Sequence, residues 1–585
     1  MKSFLKIFCA TLLALVVCCI LIFVFLAGIA GGLMSKQATV IADKTVLTID
    51  LSKKYEERPV KNWQSVVNAD VLEETPSFFD LIRLIKKAKT DKNISGILLI
   101  ANNNANGFAT SDEIRNALLD FKNSGKFIIA YGDNMTQKAY DIANIADKVY
   151  VSPKGVFEWV GFSVNYMFLK GTLDKLEIKP QIFYAGKFKS ATEPFRVDKM
   201  TEENRLQTSV WLHDIYSDFL YKTSATRKID TTTLYQLANS GAILTAEDAV
   251  THKLIDGVKY DDEVRGEIKK RLGIDENAKI SLVSVDKYAT AVGDDKGKGD
   301  RIALIYATGN IVDGKGQEDN IGSEPYIELL RKARYDKAVK AIVLRVNSGG
   351  GSALASENIW REMALAKKEK PVIVSMGDVA ASGGYYISVA ADSIFASKST
   401  ITGSIGVFGV VPDLSSFFKN KLGVTFDGVA TGPLANAGTL NRPMTEQERK
   451  LFQTHIEKIY ADFKQRVADG RNKDTAYIET IAQGRIWTGL KAKEVGLVDA
   501  YGGLQRAIEA AAAKAKLSEY QIREYPKTSS FVERLLGLNK VQASQARLIK
   551  EQVGSEYYEV LQQLDKIRAM ASGPQTRLPF DFIIH

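Results

Sequence analysis

The chain has 585 residues, of which 45% are hydrophobic and 25% charged, and its formal net charge is +9. That length holds several domains of ordinary size, and the balance is that of a globular protein, which excludes large-scale disorder. The positive residues are scattered rather than blocked, so the excess reads as general surface charge and no nucleic-acid partner is expected.

The first predicted element is a membrane helix. Ile7 to Met34, "IFCATLLALVVCCILIFVFLAGIAGGLM", carries no charge. As a helix it would be roughly 42 Å long, against a bilayer core of about 30 Å. A cleaved signal peptide has a much shorter apolar region, so residues 1–36 read as an uncleaved anchor in contact with lipid. Lys2 and Lys6 precede it, which keeps the N-terminus cytoplasmic and puts the bulk of the chain outside. All three cysteines, Cys9, Cys18 and Cys19, lie in this segment. The remainder therefore has no disulfide framework and no thiolate metal site, which suits a bacterial periplasm. His213, His252, His455 and His585 have no second ligand at metal spacing, so no metal is expected.

The rest of the chain is written twice. "GILLIANNNANGFATSDEIRNAL" from Gly96 matches "AIVLRVNSGGGSALASENIWREM" from Ala341, at a spacing of 245 positions. The same spacing takes "YGDNMTQKAYDIANIAD" onto "MGDVAASGGYYISVAAD", with Tyr140 on Tyr385 and Asp147 on Asp392. "MTEENRLQTSVWLHDIYSDF" echoes "MTEQERKLFQTHIEKIYADF" with one residue slipped. A tandem duplication of a unit of about 240 residues follows, a plausible length for one domain. The first unit spans residues 37–293 and the second 300–545, joined by the Gly-rich, charged "GDDKGKGD"; residues 546–585 form a C-terminal helical tail, in which "YYEVLQQLDKIRAM" has helical spacing of apolar residues.

In the second unit "AIVLRV" predicts a buried strand and "SALASENIWREMALAKKEK" a helix ending in lysines. "PVIVSM" is the next strand, the segment after Ser382 a helix, and "DSIFAS" a third strand. Strand, helix, strand, helix, strand implies parallel βαβ units, hence an α/β class.

Chemistry gathers in three places. Asn347-Ser348-Gly349-Gly350-Gly351 follows a strand and precedes a helix, without the spacing of a phosphate-binding loop. Such a loop is either a tight turn or a source of backbone N–H donors. "AASGG" sets Ser382 among small residues, which is either close backbone packing or a nucleophile that a substrate can approach. Donors from Gly350 and Gly383 beside it would make an oxyanion hole. His213 and His455 occupy corresponding places in repeated helices, so a base other than histidine is needed, and lysine serves in known variants. Lys187 and Lys189 lie in "FYAGKFKSATEPF", though an ordinary lysine is a solvated surface charge. The duplication adds a reason to single out Lys189. Gln137 stands in the place of Ser382, Ala105 and Asn106 in the places of Gly350 and Gly351, and Trp159 opposite Ser404, while Lys189 projects onto Leu434. The gaps are complementary: one serine–lysine dyad assembled across two units would explain them, as would drift of one copy into a scaffold.

"VNSGGGSALASE", "MGDVAASGGYYIS", "STITGSIGVFG" and "GKFKSATEPF" together resemble the long form of the signal peptide peptidase A family, also called protease IV, over nearly the whole chain. The resemblance implies a crotonase-like (ClpP-type) fold in each unit and a serine protease with a Ser/Lys dyad and no cofactor. By motif, Ser382 is the nucleophile, Lys189 the general base, Ser404 in "TGSIG" the group that orients the lysine, and Gly350 and Gly383 the oxyanion donors. Gly349 stands where the family commonly has Pro, which implies a looser loop. The resemblance further implies hydrophobic substrates such as signal-peptide remnants, cleaved at the periplasmic face of the bacterial inner membrane, and a homotetrameric ring.

A lysine is a base only when neutral, and its ordinary pKa is about 10.4. Activity near neutrality therefore needs a large downward shift, at about 1.4 kcal/mol per unit. Desolvation between two units can supply it, with Phe183, Tyr184 and Phe188 as expected wall residues. Two rival readings remain at the level of sequence: an acyl-thioester enzyme of the same fold, and an inactive scaffold of protease descent.

Overall fold

The computed structural model describes residues 41–58, 75–293, 297–317, 319–526 and 573–578, with six isolated positions before residue 41. The expected membrane anchor and the helical reading of Tyr557–Met570 lie outside the described residues, apart from those isolated positions. Among the described residues no helix is long and apolar enough to cross a membrane.

The first unit contributes β1 (Thr45–Asp50), β2 (Ile94–Ile100), β3 (Phe127–Gly132), β4 (Lys148–Val151), β5 (Lys179–Ala185), β6 (Gly257–Val258) and β7 (Leu282–Ser284). Six of them form one sheet in the order β6-β4-β3-β2-β1-β7, parallel throughout. The second unit contributes β8 (Asp300–Thr308), β9 (Ile311–Val312), β10 (Ile321–Gly322), β11 (Val339–Ser348), β12 (Gly350–Ser352), β13 (Val372–Ala381), β14 (Ser393–Ala396), β15 (Ile401–Gly403), β16 (Val407–Asp413), β17 (Ile486–Thr488), β18 (Ala500–Tyr501) and β19 (Tyr520–Tyr525). Its main sheet runs β17-β15-β13-β11-β8-β19, with β14 and β18 branching from β13. Long apolar runs such as Ile342–Leu344 are buried on both faces, as parallel strands covered by helices require. The chain is thus a duplicated α/β protein.

One strand runs longer than its pattern predicts. β13 continues past "PVIVSM" to Ala381 because it changes neighbours: Ile373–Ser375 pair with β14 and Val379–Ala381 with β15. The fork needs small residues, and Ala380 and Ala381 are fully buried.

The two units are stitched together in two ways. β5 of the first unit leaves its own sheet and pairs antiparallel with β16 of the second, from Ala185↔Val407 to Lys179↔Asp413. Charged groups also lock them. Arg345, on β11 and wholly buried, donates from Nε to Glu57 at 2.8 Å and lies 2.8 Å from Glu113, both in the first unit. Asp378, four residues before Ser382, accepts from the amide of Thr110 at 2.9 Å and from its hydroxyl at 2.7 Å. The register between units, and with it any site they share, is therefore set by directional bonds as well as by apolar packing.

Candidate active site

Ser382 and Ser404 are brought together by strand pairing. Ala381 on β13 lies beside Gly403 on parallel β15, so the two serines leave adjacent strands at the same level. Ser382 begins the helix Gly383–Ser388, with φ 54° and ψ −115°, and its amide donates to the Gly403 carbonyl at 2.8 Å. A positive φ in a residue with a side chain is strained, and a sharp strand-to-helix turn of this kind presents a hydroxyl at the sheet's end. The glycines beside it have a packing reason too. A Cβ at Gly384 would lie 2.5 Å from the Ser348 carbonyl oxygen, and one at Gly383 2.7 Å from Ser356 Oγ. Close packing is thus a demand on this stretch whatever the role of Ser382, whose side chain is itself buried.

Lys189 arrives from the other unit. β5 ends opposite the start of β16, and the chain turns at Gly186 (φ 103°) into the segment that carries the lysine. Lys189 Nζ is 2.8 Å from Ser382 Oγ, 3.1 Å from Ser404 Oγ and 3.2 Å from the Ser404 carbonyl oxygen. Lys189 is 1% exposed, and burial holds its ammonium well below the usual lysine range. Its hydrogen-bond partners are two hydroxyls and a carbonyl, so the shift rests on desolvation. Lys187, two residues earlier, is exposed and lies over the Phe188 ring. Of the expected wall residues, Phe183 and Phe188 are buried, but Tyr184 is 38% exposed. The alternation of β5 turns Tyr184 to the opposite face from Phe183, where Arg196 covers its ring.

Gly350 (φ 99°) and Gly383 face each other: a Cβ on Gly350 would lie 2.6 Å from the Gly383 nitrogen. The Gly350 amide donates to Ser348 Oγ at 3.1 Å, and that hydroxyl donates in turn to the Gly309 carbonyl at 2.6 Å. Serving an oxyanion therefore means exchanging the Ser348 bond. Gly383 opens its helix, where amides have no intrahelical partner.

The corresponding place in the first unit is filled. Gln137 is buried; its amide donates to the Gly161 carbonyl at 2.5 Å, and its oxygen accepts from the amides of Val160 and Gly161. Trp159, opposite Ser404, is 1% exposed and packs with Tyr140 and Phe219.

Several contributors escape sequence reasoning. The turn Gln483-Gly484-Arg485 bridges the two halves of the site: the Gln483 carbonyl accepts from the Phe188 amide, the Gly484 amide donates to Ile405, and the Arg485 carbonyl accepts from Ser404. Gly484 is required there, since a Cβ would lie 2.6 Å from Lys189. Gln207 donates to the Phe188 carbonyl and to Ser190 Oγ, both at 3.1 Å, and accepts from the Ile486 amide. The glycine of "AQGRI" is the one signal that could have drawn attention to this turn. The tail carries a surprise as well. Its described residues form a strand, β20 (Gln575–Arg577), lying between β12 and β16 in the sheet β10-β9-β12-β20-β16-β5. Among the described residues there is no cluster able to hold a metal ion.

Comparison with known proteins gives the following. The family described as "Peptidase family S49" matches residues 120–275 and 364–518. "Protease 4" of Salmonella typhi is 38% identical over 473 residues, covering 78% of this chain and 75% of its own. "Serine protease SPPA, chloroplastic" of Arabidopsis thaliana is 37% identical, covering 74% of this chain and 64% of its own. Among solved structures, a ClpP1 mutant from Listeria monocytogenes matches 35% of this chain and 94% of its own at 15% identity, with a TM-score of 0.24.

Proposed function

The chain belongs to peptidase family S49, and from that premise we propose that it is a serine endopeptidase working through a Ser382–Lys189 dyad. The observation that carries the reading is the 2.8 Å contact between Lys189 Nζ and Ser382 Oγ, made across two units around a buried amine. Neutral Lys189 takes the Ser382 proton as Oγ attacks the scissile carbonyl carbon. The amides of Gly383 and Gly350 receive the oxyanion. The lysinium then protonates the leaving amine, and water, deprotonated by the same lysine, releases the acyl group. Ser404 holds the amine through its hydroxyl and its carbonyl, so the lone pair stays aimed at Ser382.

The uncharged Ile7–Met34 segment supports a single-pass anchor in the bacterial inner membrane with the catalytic part periplasmic. Hydrophobic peptides left in that membrane, such as signal-peptide remnants, are the substrates in this reading. Quasi-symmetry supports assembly into a homotetrameric ring. Within one chain, β5 pairs with β16. The counterparts of these strands by repeat alignment are residues 424–430 and 162–168, and among the described residues neither has a strand partner; Val424, Phe426, Val429 and Met167 are exposed. Joining 424–430 of one copy to 162–168 of the next would repeat the internal pairing head to tail, a heterologous contact that forms a ring where its rotation closes.

The test uses a fluorophosphonate probe and a hydrophobic peptide substrate. Labelling of Ser382 together with hydrolysis, both lost in Ser382→Ala, is the expected result. Turnover of a CoA thioester in place of the peptide would overturn it.

A further inference from the structure

Gln207 touches both the segment that carries Lys189 and the second unit. It lies on the helix Glu202–Arg227 of the first unit and is 1% exposed. Its Nε2 donates to the Phe188 carbonyl and to Ser190 Oγ, both at 3.1 Å, so it grips the chain on either side of the lysine. Its Oε1 accepts from the Ile486 amide at 3.1 Å. Ile486 opens β17, where it pairs with Gly403, and the carbonyl of the preceding Arg485 accepts from the Ser404 amide at 2.7 Å. A single carboxamide thus spans from the backbone beside the lysine to the strand pair that delivers Ser404. Gln207 is steadied in turn by Asn204 Oδ1 at 3.2 Å, and Asn204 donates to Glu193 Oε2 at 2.9 Å. The duplication supplies an independent observation. Aligning "MTEENRLQ" with "MTEQERKL" puts Leu451 in the place of Gln207, and Leu451 is 50% exposed. The copy with Leu434 in place of the lysine also lacks the buried carboxamide.

We propose that Gln207 is a positioning residue of the dyad, and that its neutral carboxamide sets the Lys189 segment of one unit against the Ser382 and Ser404 strands of the other. The inference rests on the reading of Ser382 and Lys189 as nucleophile and base. The residue type follows from the chemistry of the place. Two N–H donors and one acceptor are needed in a buried position, and a carboxamide supplies them without charge. A carboxylate would lose the donors and, near a buried amine, favour its protonated form, which is no base. Lysine or arginine offers no acceptor for the Ile486 amide. Charged groups do surround this segment: Glu193 is bonded to Thr201 and lies 3.7 Å from Arg196, and Arg485 and Lys187 lie over the Phe188 ring. None of them bonds the Lys189 amine, whose partners are two hydroxyls and a carbonyl. A misplacement of about 1 Å in a catalytic group can cost on the order of 10²-fold in rate, so a residue that fixes this spacing acts on rate rather than on substrate binding.

The experiment compares Gln207→Met and Gln207→Glu with wild type and with Gln137→Ala, a buried glutamine outside the dyad. Gln207→Met should lower kcat by about 10–100-fold with KM unchanged. Fluorophosphonate labelling of Ser382 should slow by a similar factor, since it too needs the lysine to take the proton. In Gln207→Glu the acid limb of the kcat/KM profile should move up by about one pH unit, because the added carboxylate favours the lysinium. Gln137→Ala should show neither effect, although it too is destabilised. Should Gln207→Met fail to fold, Ser190→Ala, which removes only the 3.1 Å contact, should still slow labelling about threefold. Labelling rates and acid limbs equal to wild type in the folded variants, or a Gln207→Met loss that appears in KM and matches that of Gln137→Ala, would overturn the proposal and make Gln207 a packing residue. If the wild-type protein neither hydrolyses peptide nor labels at Ser382, the peptidase reading itself has failed, and the inference goes with it.

Discussion

Replacing Lys189 with Met keeps the length and burial of the side chain and removes its titration. The amine contacts Ser382 Oγ at 2.8 Å and Ser404 Oγ at 3.1 Å, and burial depresses its pKa. Two consequences follow, one in rate and one in stability. A positioned general base contributes typically 10²–10⁴-fold, so kcat/KM should fall by that factor, about 3–5 kcal/mol of transition-state stabilisation. In the wild type, activity should also fall as pH drops through the depressed pKa, because protonation removes the base. The stability effect has a defined sign. Between the folded pKa and the ordinary value of about 10.4, the unfolded state holds the proton and the folded state does not, so wild-type stability rises with pH at up to about 1.4 kcal/mol per pH unit. The Met variant lacks that slope. Urea unfolding of both proteins between pH 7 and 10 measures the difference, and peptide hydrolysis in the same buffers measures the rate. Lys187→Ala, at an exposed position, is the control and should be active. A Met variant within tenfold of wild-type activity, or two stability curves that stay parallel over this range, would refute the assignment.

Ser404→Ala removes the 3.1 Å bond but leaves the 3.2 Å carbonyl contact, so steady-state kcat should fall only about fivefold, for roughly 1 kcal/mol of lost hydrogen bonding. Gln137→Ala should keep kcat per folded molecule within about twofold while costing about 1 kcal/mol in urea unfolding, because the amides of Val160 and Gly161 lose a side-chain acceptor. Arg345→Met strands Glu57 and Glu113 as buried, uncompensated carboxylates, and should cost about 3–5 kcal/mol, seen as a lower unfolding midpoint.

The amino-acid sequence by itself determined the duplicated plan and the identity of the candidate nucleophile. Internal repetition survives in one dimension, so Tyr140 and Tyr385 could be aligned without a fold, and the loss of the serine at Gln137 could be seen against the copy that keeps it. Strand and helix types in the second unit were legible because hydrophobic period and turn residues are local properties. The length of β13 was not, since its last residues are held by β15 rather than by their own propensity. Which lysine faces the serine was also beyond local pattern: Lys187 and Lys189 sit in the same motif, and only the crossing of β5 onto β16 and the turn at Gly484 bury one and expose the other. The Arg345 lock and the pairing of the strand at 575–577 with β12 depend on partners more than 200 residues away in the chain, as in the pairing of Gly351 with Thr576. Such contacts obey no sequence period, because tertiary packing decides which distant backbone edge or buried charge a residue will meet.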